Sequence, residues 1–404
     1  MTARRIPRWA DLRPYLQVEP IRGSAVDRRL ARAATIEDLR EVARRHTPRA
    51  VFDYVDGAAE RELSLRRSRA AFEALEFVPS VLRDVSDASS ATTILGRPAA
   101  MPLVFAPTGF TRLMHHEGEP AVARVAHRAG IPYTLSTMGT TSSEALAAAD
   151  PGGSHWFQLY VWRDRGLSRE LVARAHAAGF ETMVLTADTP VAGARLRDLR
   201  SGFTIPPALR LGTIADIALH PGWWFNLLTT EPLRFATPPG FHGTVAELID
   251  KMFNPALTMD DVEWLRGEWP GSLVVKGIQN PTDALAVVQR GADAVIVSNH
   301  GGRQLDRTPV PLEQLPHVLE AVGGRAEVFV DGGIMSGADL VAAIAMGARA
   351  GLIGRAYLYG LMAGGERGVA RATEILRQGV IRTMKLLGVS SLQQLTPGHV
   401  RVHG

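Results

Sequence analysis

Four side chains in this sequence have the types and spacing of a site that moves a proton and binds an anion. His300 and Arg303 stand three residues apart in the run Ser298-Asn299-His300-Gly301-Gly302-Arg303. Imidazole titrates near neutral pH, so His300 is the natural proton acceptor. The planar guanidinium groups of Arg195 and Arg303 can bind a carboxylate bidentately. Asp188 can stabilise a protonated His300, because a paired carboxylate favours the imidazolium.

Lys276 has two chemical interpretations. It could form a Schiff base with a keto substrate, as in a barrel aldolase, or it could hold an anion. Schiff-base chemistry needs a neutral amine, and the positive field of two nearby arginines would lower the pKa of the lysine toward that state. The field therefore favours neither interpretation, and both stay open at this point.

Short apolar, β-branched runs alternate with helical patterns from residue 100 onward. The eight predicted strands span 102–106, 132–136, 156–160, 182–186, 273–276, 294–298, 327–331 and 351–353. Buried parallel strands read as continuous apolar runs, and helices between them make the crossover connections. The sequence therefore predicts an α/β fold, a (β/α)8 TIM barrel over residues 96–404.

Two further regions flank or interrupt this barrel. A long spacing after the fourth strand predicts an insertion at about 200–255, and residues 1–95 form an N-terminal helical segment expected to help cover the active site. Helical patterns in that segment lie at 35–45 and 60–72. A doubly wound dinucleotide fold would need Gly-x-Gly-x-x-Gly after its first strand, whereas 106–109 reads Ala-Pro-Thr-Gly.

Polar and glycine residues fall at the carboxyl ends of all eight predicted strands, where chemistry collects in a TIM barrel. Backbone N–H groups in the glycine-rich turns after strands seven and eight, Asp331-Gly332-Gly333 and Gly354-Arg355, are suited to bind phosphate. Arg355 would add a permanent positive charge. The sequence thus predicts a phosphorylated ligand at these two turns.

Composition excludes several other functions. The chain of 404 residues has no cysteine, which excludes disulfides, a thiolate nucleophile and thiolate metal sites. It lacks the dense basic stripe interleaved with aromatics that nucleic-acid binding needs. His115-His116-Glu117 lacks the helix-spaced pattern of metal ligands, so we expect no metal. No apolar run reaches the ~18 residues of a membrane span, so we expect a cytoplasmic protein, soluble or peripheral on the inner face of the cell membrane.

The run from Ser298 to Asp306 resembles the active-site signature of the FMN-dependent α-hydroxy-acid dehydrogenases and oxidases. The segments 54–57, 157–160, 186–190 and 354–357 match the same family in the same order, and the similarity is greatest to bacterial members that oxidise L-lactate. The resemblance implies FMN as the cofactor and oxidation of an L-2-hydroxy acid, above all L-lactate to pyruvate.

The resemblance also implies a role for each matching residue. The cofactor-binding set is Pro107, Thr108, Gly109, Ser136, Gln158, Tyr160, Thr186, Lys276, Ser298, Asp331, Gly332, Gly333, Ile334, Met335, Gly354 and Arg355. The substrate carboxylate would lie between Arg195 and Arg303, helped by Tyr54, with Tyr160 near the hydroxyl. His300 would take a proton, supported by Asp188. Lys276 would be the cation beside the flavin, which favours its second interpretation by analogy alone.

Two positions depart from the family pattern. Glycolate oxidases have an arginine where Met335 stands, so Arg355 and backbone amides are left to hold the cofactor phosphate. Oxidases typically have alanine where Gly109 stands, and family members with glycine there react poorly with oxygen. The sequence therefore favours a dehydrogenase over an oxidase that uses O2.

The partners of the reaction follow less directly. Trp223-Trp224-Phe225 in the insertion has two interpretations, a core or subunit-interface cluster or a surface that docks on a membrane where a quinone takes the electrons. The family resemblance implies a homotetramer. A lyase or aldolase that uses Lys276 and a catalytically silent scaffold remain as other classes, and the complete His300, Arg303 and Arg195 set disfavours the scaffold.

Overall fold

The computed structural model describes residues 8–15, 23–202, 211–231 and 252–402. Eight parallel strands close into a barrel in which each strand pairs with its neighbours in chain order. Three short strands precede the barrel: Leu75–Phe77 (β1), Thr92–Ile94 (β2) and Arg97–Ala99 (β3). The barrel strands are Leu103–Phe105 (β4), Tyr133–Ser136 (β5), His155–Leu159 (β6), Thr182–Thr186 (β7), Ser272–Ile278 (β8), Ala294–Val297 (β9), Glu327–Asp331 (β10) and Ala350–Ile353 (β11). The last strand, Val400–Val402 (β12), pairs with β1. The predicted (β/α)8 barrel is confirmed.

The helices fall into an N-terminal group, an insertion group and the barrel helices. Before the barrel lie Trp9–Leu12 (α1), Ala25–Arg32 (α2), Ile36–His46 (α3), Arg49–Asp56 (α4) and Leu63–Glu73 (α5). The others are Thr111–Met114 (α6), Gly118–Ala129 (α7), Ser143–Ala149 (α8), Arg165–Ala177 (α9), Leu196–Ser201 (α10), Leu211–Ala218 (α11), Pro221–Thr229 (α12), Asp260–Glu268 (α13), Pro281–Gln289 (α14), Pro311–Val322 (α15), Gly337–Ala345 (α16) and Arg355–Leu387 (α17).

The barrel strands are short, from three residues in β4 to seven in β8, and the helices form a ring around them. Every residue of β4, β5, β6, β7, β9 and β11 is buried, as expected for strands covered on both faces. One side of the strands fills the barrel interior with large apolar side chains such as Trp156 and Phe329, and Ile94 of the β2–β3 hairpin joins the same cluster. The interior is therefore packed solid, and the larger cavity of the described structure lies at the carboxyl ends of the strands.

Helices of the N-terminal segment lie over those carboxyl ends. The predicted helices at 35–45 and 60–72 correspond to α3 and α5, and α3 packs along α17. The sequence patterns missed α4, a helix of eight residues in which all but Arg49 and Ala50 are buried. Its polar residues Arg49, Asp53 and Asp56 do recur at helical spacing, but eight residues are too few for a clear periodic signal in the sequence.

The described part of the insertion is a pair of short helices, α11 and α12. Asp216 of α11 accepts a hydrogen bond at 2.6 Å from the backbone N–H of Arg49, at the start of α4. Trp223 of α12 donates its indole N–H to the carbonyl of Leu113 at 2.9 Å. Among the described residues, no helix combines the length and apolarity needed to cross a membrane. The insertion thus rests on α4 and on the loop that follows β4.

Candidate active site

A cavity of about 850 Å³ opens at the carboxyl end of the barrel. All eight barrel strands and helices α3 to α5 contribute to its wall. The wall contains these residues of the predicted site: Tyr54, Pro107, Thr108, Gly109, Ser136, Gln158, Tyr160, Thr186, Arg195, Lys276, His300, Arg303, Asp331, Gly332, Gly333, Ile334, Met335, Gly354 and Arg355. The other two predicted residues, Asp188 and Ser298, lie behind the wall, where each bonds a residue that faces the cavity.

His300 and Asp188 form a hydrogen-bonded pair. The distance from Nδ1 of His300 to Oδ1 of Asp188 is 3.0 Å. Burial would raise the pKa of Asp188, but the imidazole of His300 and the ammonium of Lys276 outweigh burial and lower it. Asp188 is therefore ionised and holds a proton on Nδ1 of His300, which leaves Nε2 as the ring nitrogen with a free lone pair. The backbone of His300 has a φ of 57°, uncommon for a residue with a side chain and consistent with a functional constraint.

Gly277 makes room for this pair. It follows Lys276 at an irregularity in β8 and has a φ of 101°. A Cβ on Gly277 would lie 2.7 Å from Cβ and Cγ of Asp188. Asp188 can therefore approach His300 because residue 277 is a glycine and has no side chain.

We expect Gly277→Ala to lower kcat by about 10- to 10²-fold, because a displacement near 1 Å of a supporting group has an effect of this size. Gly179→Ala is the matched control, since Gly179 also has a positive φ (82°) but nothing within 4 Å of an added Cβ. Steady-state kinetics on both folded variants tests the expectation. Equal kcat values for the two variants would contradict it.

Two guanidinium groups flank the ring of Tyr54. The guanidinium carbons of Arg195 and Arg303 lie 5.1 and 4.8 Å from the ring centroid. Burial and the charge of Arg195 lower the pKa of Arg303 to about 10. Arg195 bonds Asp198 through Nε at 3.2 Å, whereas Arg303 donates from Nη1 to the carbonyls of Tyr54 and Gly57. Two like charges held this close favour an anion between them.

Lys276 is a charged group inside the barrel mouth. Its Nζ lies 2.8 Å from Oδ2 of Asp331 and 2.8 Å from Oγ of Ser298. Burial lowers the pKa of Lys276, but the carboxylates of Asp331 and Asp188 outweigh burial and raise it. The sequence analysis expected nearby arginines to lower the pKa of Lys276, but this lowering is not found, because the carboxylates of Asp331 and Asp188 dominate. A lysine held as an ammonium is a poor Schiff-base nucleophile, which disfavours the aldolase alternative.

Two buried polar atoms without a protein partner belong to residues of the cavity wall. Oε1 of Gln158 accepts hydrogen bonds from Ser136 and Thr137, whereas its Nε2 has none. Oδ1 of Asp331 is likewise unpartnered, because only Oδ2 meets Lys276. Unsatisfied buried groups of this kind call for a ligand. An amide N–H and a carboxylate oxygen fit the carbonyl oxygens and the ribityl hydroxyls of a flavin, respectively.

The turns after β10 and β11 bring their backbone close to the cavity. Gly332 and Gly333 have φ values of 92° and 93°, and a Cβ on Gly333 would meet the carbonyl oxygen of Ser68 in α5 at 2.5 Å. The sequence suggested that Arg355 directs its guanidinium at these turns, but only part of the group is free to do so. It donates to the carbonyls of Val55, Gly301 and Gly57, which leaves two of its five N–H bonds for an anion.

The aromatic cluster of the insertion divides between two environments. Trp223 is half-buried and bonded to Leu113, so it belongs to the attachment of the insertion. Trp224 is half-buried, and Phe225 beside it is 56% exposed. Trp223 therefore contributes to packing while Phe225 is exposed, because neighbouring residues on a helix point in different directions, and both interpretations of the run stay open.

Several supporting residues were missed by the sequence analysis. Gln304 ties the loop after β7 to that after β9: its Nε2 donates to the carbonyls of Asp188 and Val191, and its Oε1 accepts from Gly193. Gly277 and Asp56 support the site in the same indirect way. Gln304 and Asp56 stand inside the matching segments of the sequence, which was the available signal, but nothing in a linear pattern assigns them contacts.

The whole barrel and most of its N-terminal cover match one known family. The model of FMN-dependent dehydrogenases matches residues 43–402, and the chain belongs to this family. Its cofactor is FMN. The predicted family and cofactor are thereby confirmed.

Individual relatives agree with this assignment. A protein of Mycobacterium tuberculosis (strain ATCC 25618 / H37Rv), whose name as an L-lactate dehydrogenase is provisional, is 59% identical over 98% of this chain and 96% of its own length. An L-lactate oxidase of Nostoc sp. is 42% identical over 89% of this chain and 95% of its own length. The crystal structure of (S)-mandelate dehydrogenase, a monotopic membrane protein, matches with a TM-score of 0.88 and 36% identity, covering 92% of this chain and 100% of that one.

Proposed function

We propose that this enzyme oxidises an L-2-hydroxy acid to the 2-oxo acid, with L-lactate and pyruvate as the principal pair. The observation that carries the proposal is one cavity wall on which the His300–Asp188 pair faces the two arginines on Tyr54. These groups supply a proton acceptor and a carboxylate site, the two functions that oxidation of a hydroxy acid requires of the protein. Relatives named for L-lactate oxidation support the choice of substrate.

The substrate carboxylate lies between Arg195 and Arg303 in this proposal. Their charges are only partly neutralised, by Asp198, and Arg303 is half-buried, so an incoming carboxylate gains strong charge-assisted hydrogen bonds. Both guanidinium groups pack against the ring of Tyr54, which helps to hold them in place. Tyr160, also on the cavity wall, has a pKa raised by burial, so its phenol stays protonated and can donate to the substrate hydroxyl.

His300 receives a substrate proton at Nε2. Asp188, ionised and bonded to Nδ1, stabilises the imidazolium that results. FMN, when bound, accepts the two electrons that the substrate loses. Lys276 stays an ammonium and stabilises negative charge beside the cofactor. The unpartnered Nε2 of Gln158 holds the polar edge of the flavin, and the unpartnered Oδ1 of Asp331 holds the ribityl hydroxyls. The turns at 331–335 and 354–355 hold its phosphate.

Gly109 supports a dehydrogenase over an oxidase. A Cβ on this residue would lie 2.9 Å from Cβ of Met138, so alanine would not fit unless Met138 moved. An assay with L-lactate tests the choice: turnover with a quinone analogue should exceed turnover with O2 in air-saturated buffer. Faster turnover with O2 would favour the oxidase alternative.

The exposed face of the insertion is proposed to dock on the inner face of the cell membrane, where a quinone takes the electrons. Phe225, Leu228 and Leu219 are 56%, 75% and 79% exposed on or beside α12. Exposed apolar side chains on the surface of the α11–α12 helix pair are suited to enter a lipid interface. The similar (S)-mandelate dehydrogenase is itself a monotopic membrane protein, which supports the proposal.

We expect the Phe225→Asp/Leu228→Asp double variant to lose binding to vesicles of phosphatidylethanolamine and phosphatidylglycerol, because charge at these positions opposes insertion. Co-sedimentation measures the bound fraction. Tyr15→Asp, a change at an aromatic residue that is 85% exposed outside the insertion, is the control and should bind as the parent does. Failure of the parent protein itself to sediment with vesicles would contradict membrane docking.

A homotetramer is proposed as the oligomeric state, as the family resemblance implies. Val81, Leu82, Leu386 and Val402 are all exposed apolar residues. Val81 and Leu82 follow Ser80, whose backbone N–H donates a hydrogen bond to the carbonyl of Leu387 at the end of α17. Sedimentation analysis of the parent and of Leu82→Asp tests the proposal: the parent should sediment as a tetramer and the variant as a smaller species.

A further inference from the structure

The end of α4 is a common support for two functionally important arginines. Arg303 donates to the carbonyls of Tyr54 and Gly57 at 2.6 and 3.2 Å. Arg355 donates to the carbonyls of Val55 and Gly57 at 3.0 and 2.8 Å. The last carbonyls of a helix lack intrahelical partners and carry the negative end of its dipole, so they hold guanidinium groups well. One turn of backbone thus holds both the carboxylate-binding arginine and the arginine beside the phosphate turns.

Asp56 stands within this turn and fixes it to three other elements. Its carboxylate accepts hydrogen bonds from Arg40 of α3 (2.5 and 3.0 Å), Arg197 of α10 (2.6 Å) and the hydroxyl of Tyr359 in α17 (2.8 Å). Burial would raise the pKa of Asp56, but Arg40 and its other donors outweigh burial and lower it. The group is therefore a buried anion with four donors, which fixes its position tightly.

Asp56 lines the cavity, but its hydrogen bonds go to Arg40, Arg197 and Tyr359 rather than to Arg303 or Arg355. Arg40 also pairs with Glu37 of α3, and Arg197 also pairs with Glu62, so the anion belongs to a network that joins the N-terminal cover to the loop after β7. Removing charge from Asp56 would leave Arg40 and Arg197 with less compensation and would free the turn from its anchor. The carbonyls that hold Arg303 and Arg355 would then shift together.

We propose that Asp56 is a positioning residue that holds the turn Tyr54–Gly57 in place, so that binding of the substrate carboxylate and binding of the cofactor phosphate depend on the same support. This inference rests on the proposed roles of Arg303 and the phosphate turns. It adds a residue that acts through the backbone of this turn, and it adds a link between the two binding sites.

The test is Asp56→Asn, which keeps the shape of the side chain and removes its charge. We expect KM for L-lactate to rise about tenfold or more with kcat changed less than about threefold, because the chemistry at His300 is untouched. We also expect FMN to bind about tenfold more weakly to the apoprotein, while riboflavin, which lacks the phosphate, changes little. Flavin fluorescence quenching gives both dissociation constants without any activity measurement.

Asp150→Asn is the matched control. Asp150 is equally buried and pairs with His127 and His155 near the start of β6, at the opposite end of the barrel. It should lose stability as a buried ion pair does, with KM and the ratio of FMN to riboflavin affinity unchanged. If Asp56→Asn does not fold, Tyr359→Phe removes a single donor to Asp56, and a smaller rise in both KM and the FMN dissociation constant is expected.

The outcomes separate this inference from the proposed function. A folded Asp56→Asn variant with the KM and the FMN-to-riboflavin ratio of the parent would overturn the inference and leave the proposed function intact. A change in only one of the two quantities would also overturn it, since the support would not be shared. A parent protein that binds FMN but oxidises no 2-hydroxy acid would instead remove the proposed function.

Discussion

His300→Gln is expected to lower kcat by about 10²–10⁴-fold, the range for loss of a general base, while the variant keeps its FMN. Glutamine retains a polar side chain of similar reach, but it cannot take up a proton. The cofactor should stay bound, because the unpartnered atoms of Gln158 and Asp331 and the phosphate turns lie on other strands. Rapid mixing with L-lactate, followed through the flavin absorbance, measures the reductive step directly.

Asp188→Asn accompanies this variant and separates orientation from proton transfer. The amide can still accept from Nδ1 of His300 but cannot stabilise its charge, so a smaller decrease in rate is expected. Reduction of the flavin at the parental rate in His300→Gln would show that another group takes the proton.

Arg303→Met is expected to raise KM for L-lactate by about 10- to 10²-fold, because a charge-assisted hydrogen bond contributes roughly 1.5–3 kcal/mol. Methionine has a similar length and fills the buried space beside Tyr54 without charge. The variant should bind oxalate or pyruvate more weakly to the same degree, which can be measured by flavin perturbation without turnover.

Arg303→Lys serves as the comparison. It keeps the positive charge but loses the planar fork, so an intermediate KM is expected. A KM for Arg303→Met equal to that of the parent would rule out a carboxylate between Arg195 and Arg303.

The barrel could be predicted from the sequence because its strands are buried on both faces and read as unbroken apolar runs. The predicted strands agree with the structure to within two residues, and the polar residues at their ends do face one cavity. Helix α4 could not be predicted in the same way, because its polar face of Arg49, Asp53 and Asp56 spans only eight residues, which is too short for a clear periodic signal.

The sequence identified types of chemistry better than the directions of side chains. Arg355 and Asp331 were both expected at the phosphate turns, and the structure adds partners that were not expected: Arg355 also binds carbonyls of the N-terminal turn, and Asp331 also pairs with Lys276. These partners are distant in sequence, so no local pattern specifies them. The role of Tyr54 came from family resemblance, and its stacking with Arg195 emerged only from the fold.

The central claim is that FMN lies in this cavity beside His300 and the two arginines, where an L-2-hydroxy acid reduces it. Anaerobic mixing of the FMN-loaded protein with L-lactate tests this claim most directly, with pyruvate measured in the same sample. The account predicts loss of the oxidised flavin's visible absorbance with an equimolar yield of pyruvate, and no loss with D-lactate. A flavin that stays oxidised with L-lactate and with every other L-2-hydroxy acid, or a folded protein that takes up no FMN, would contradict it.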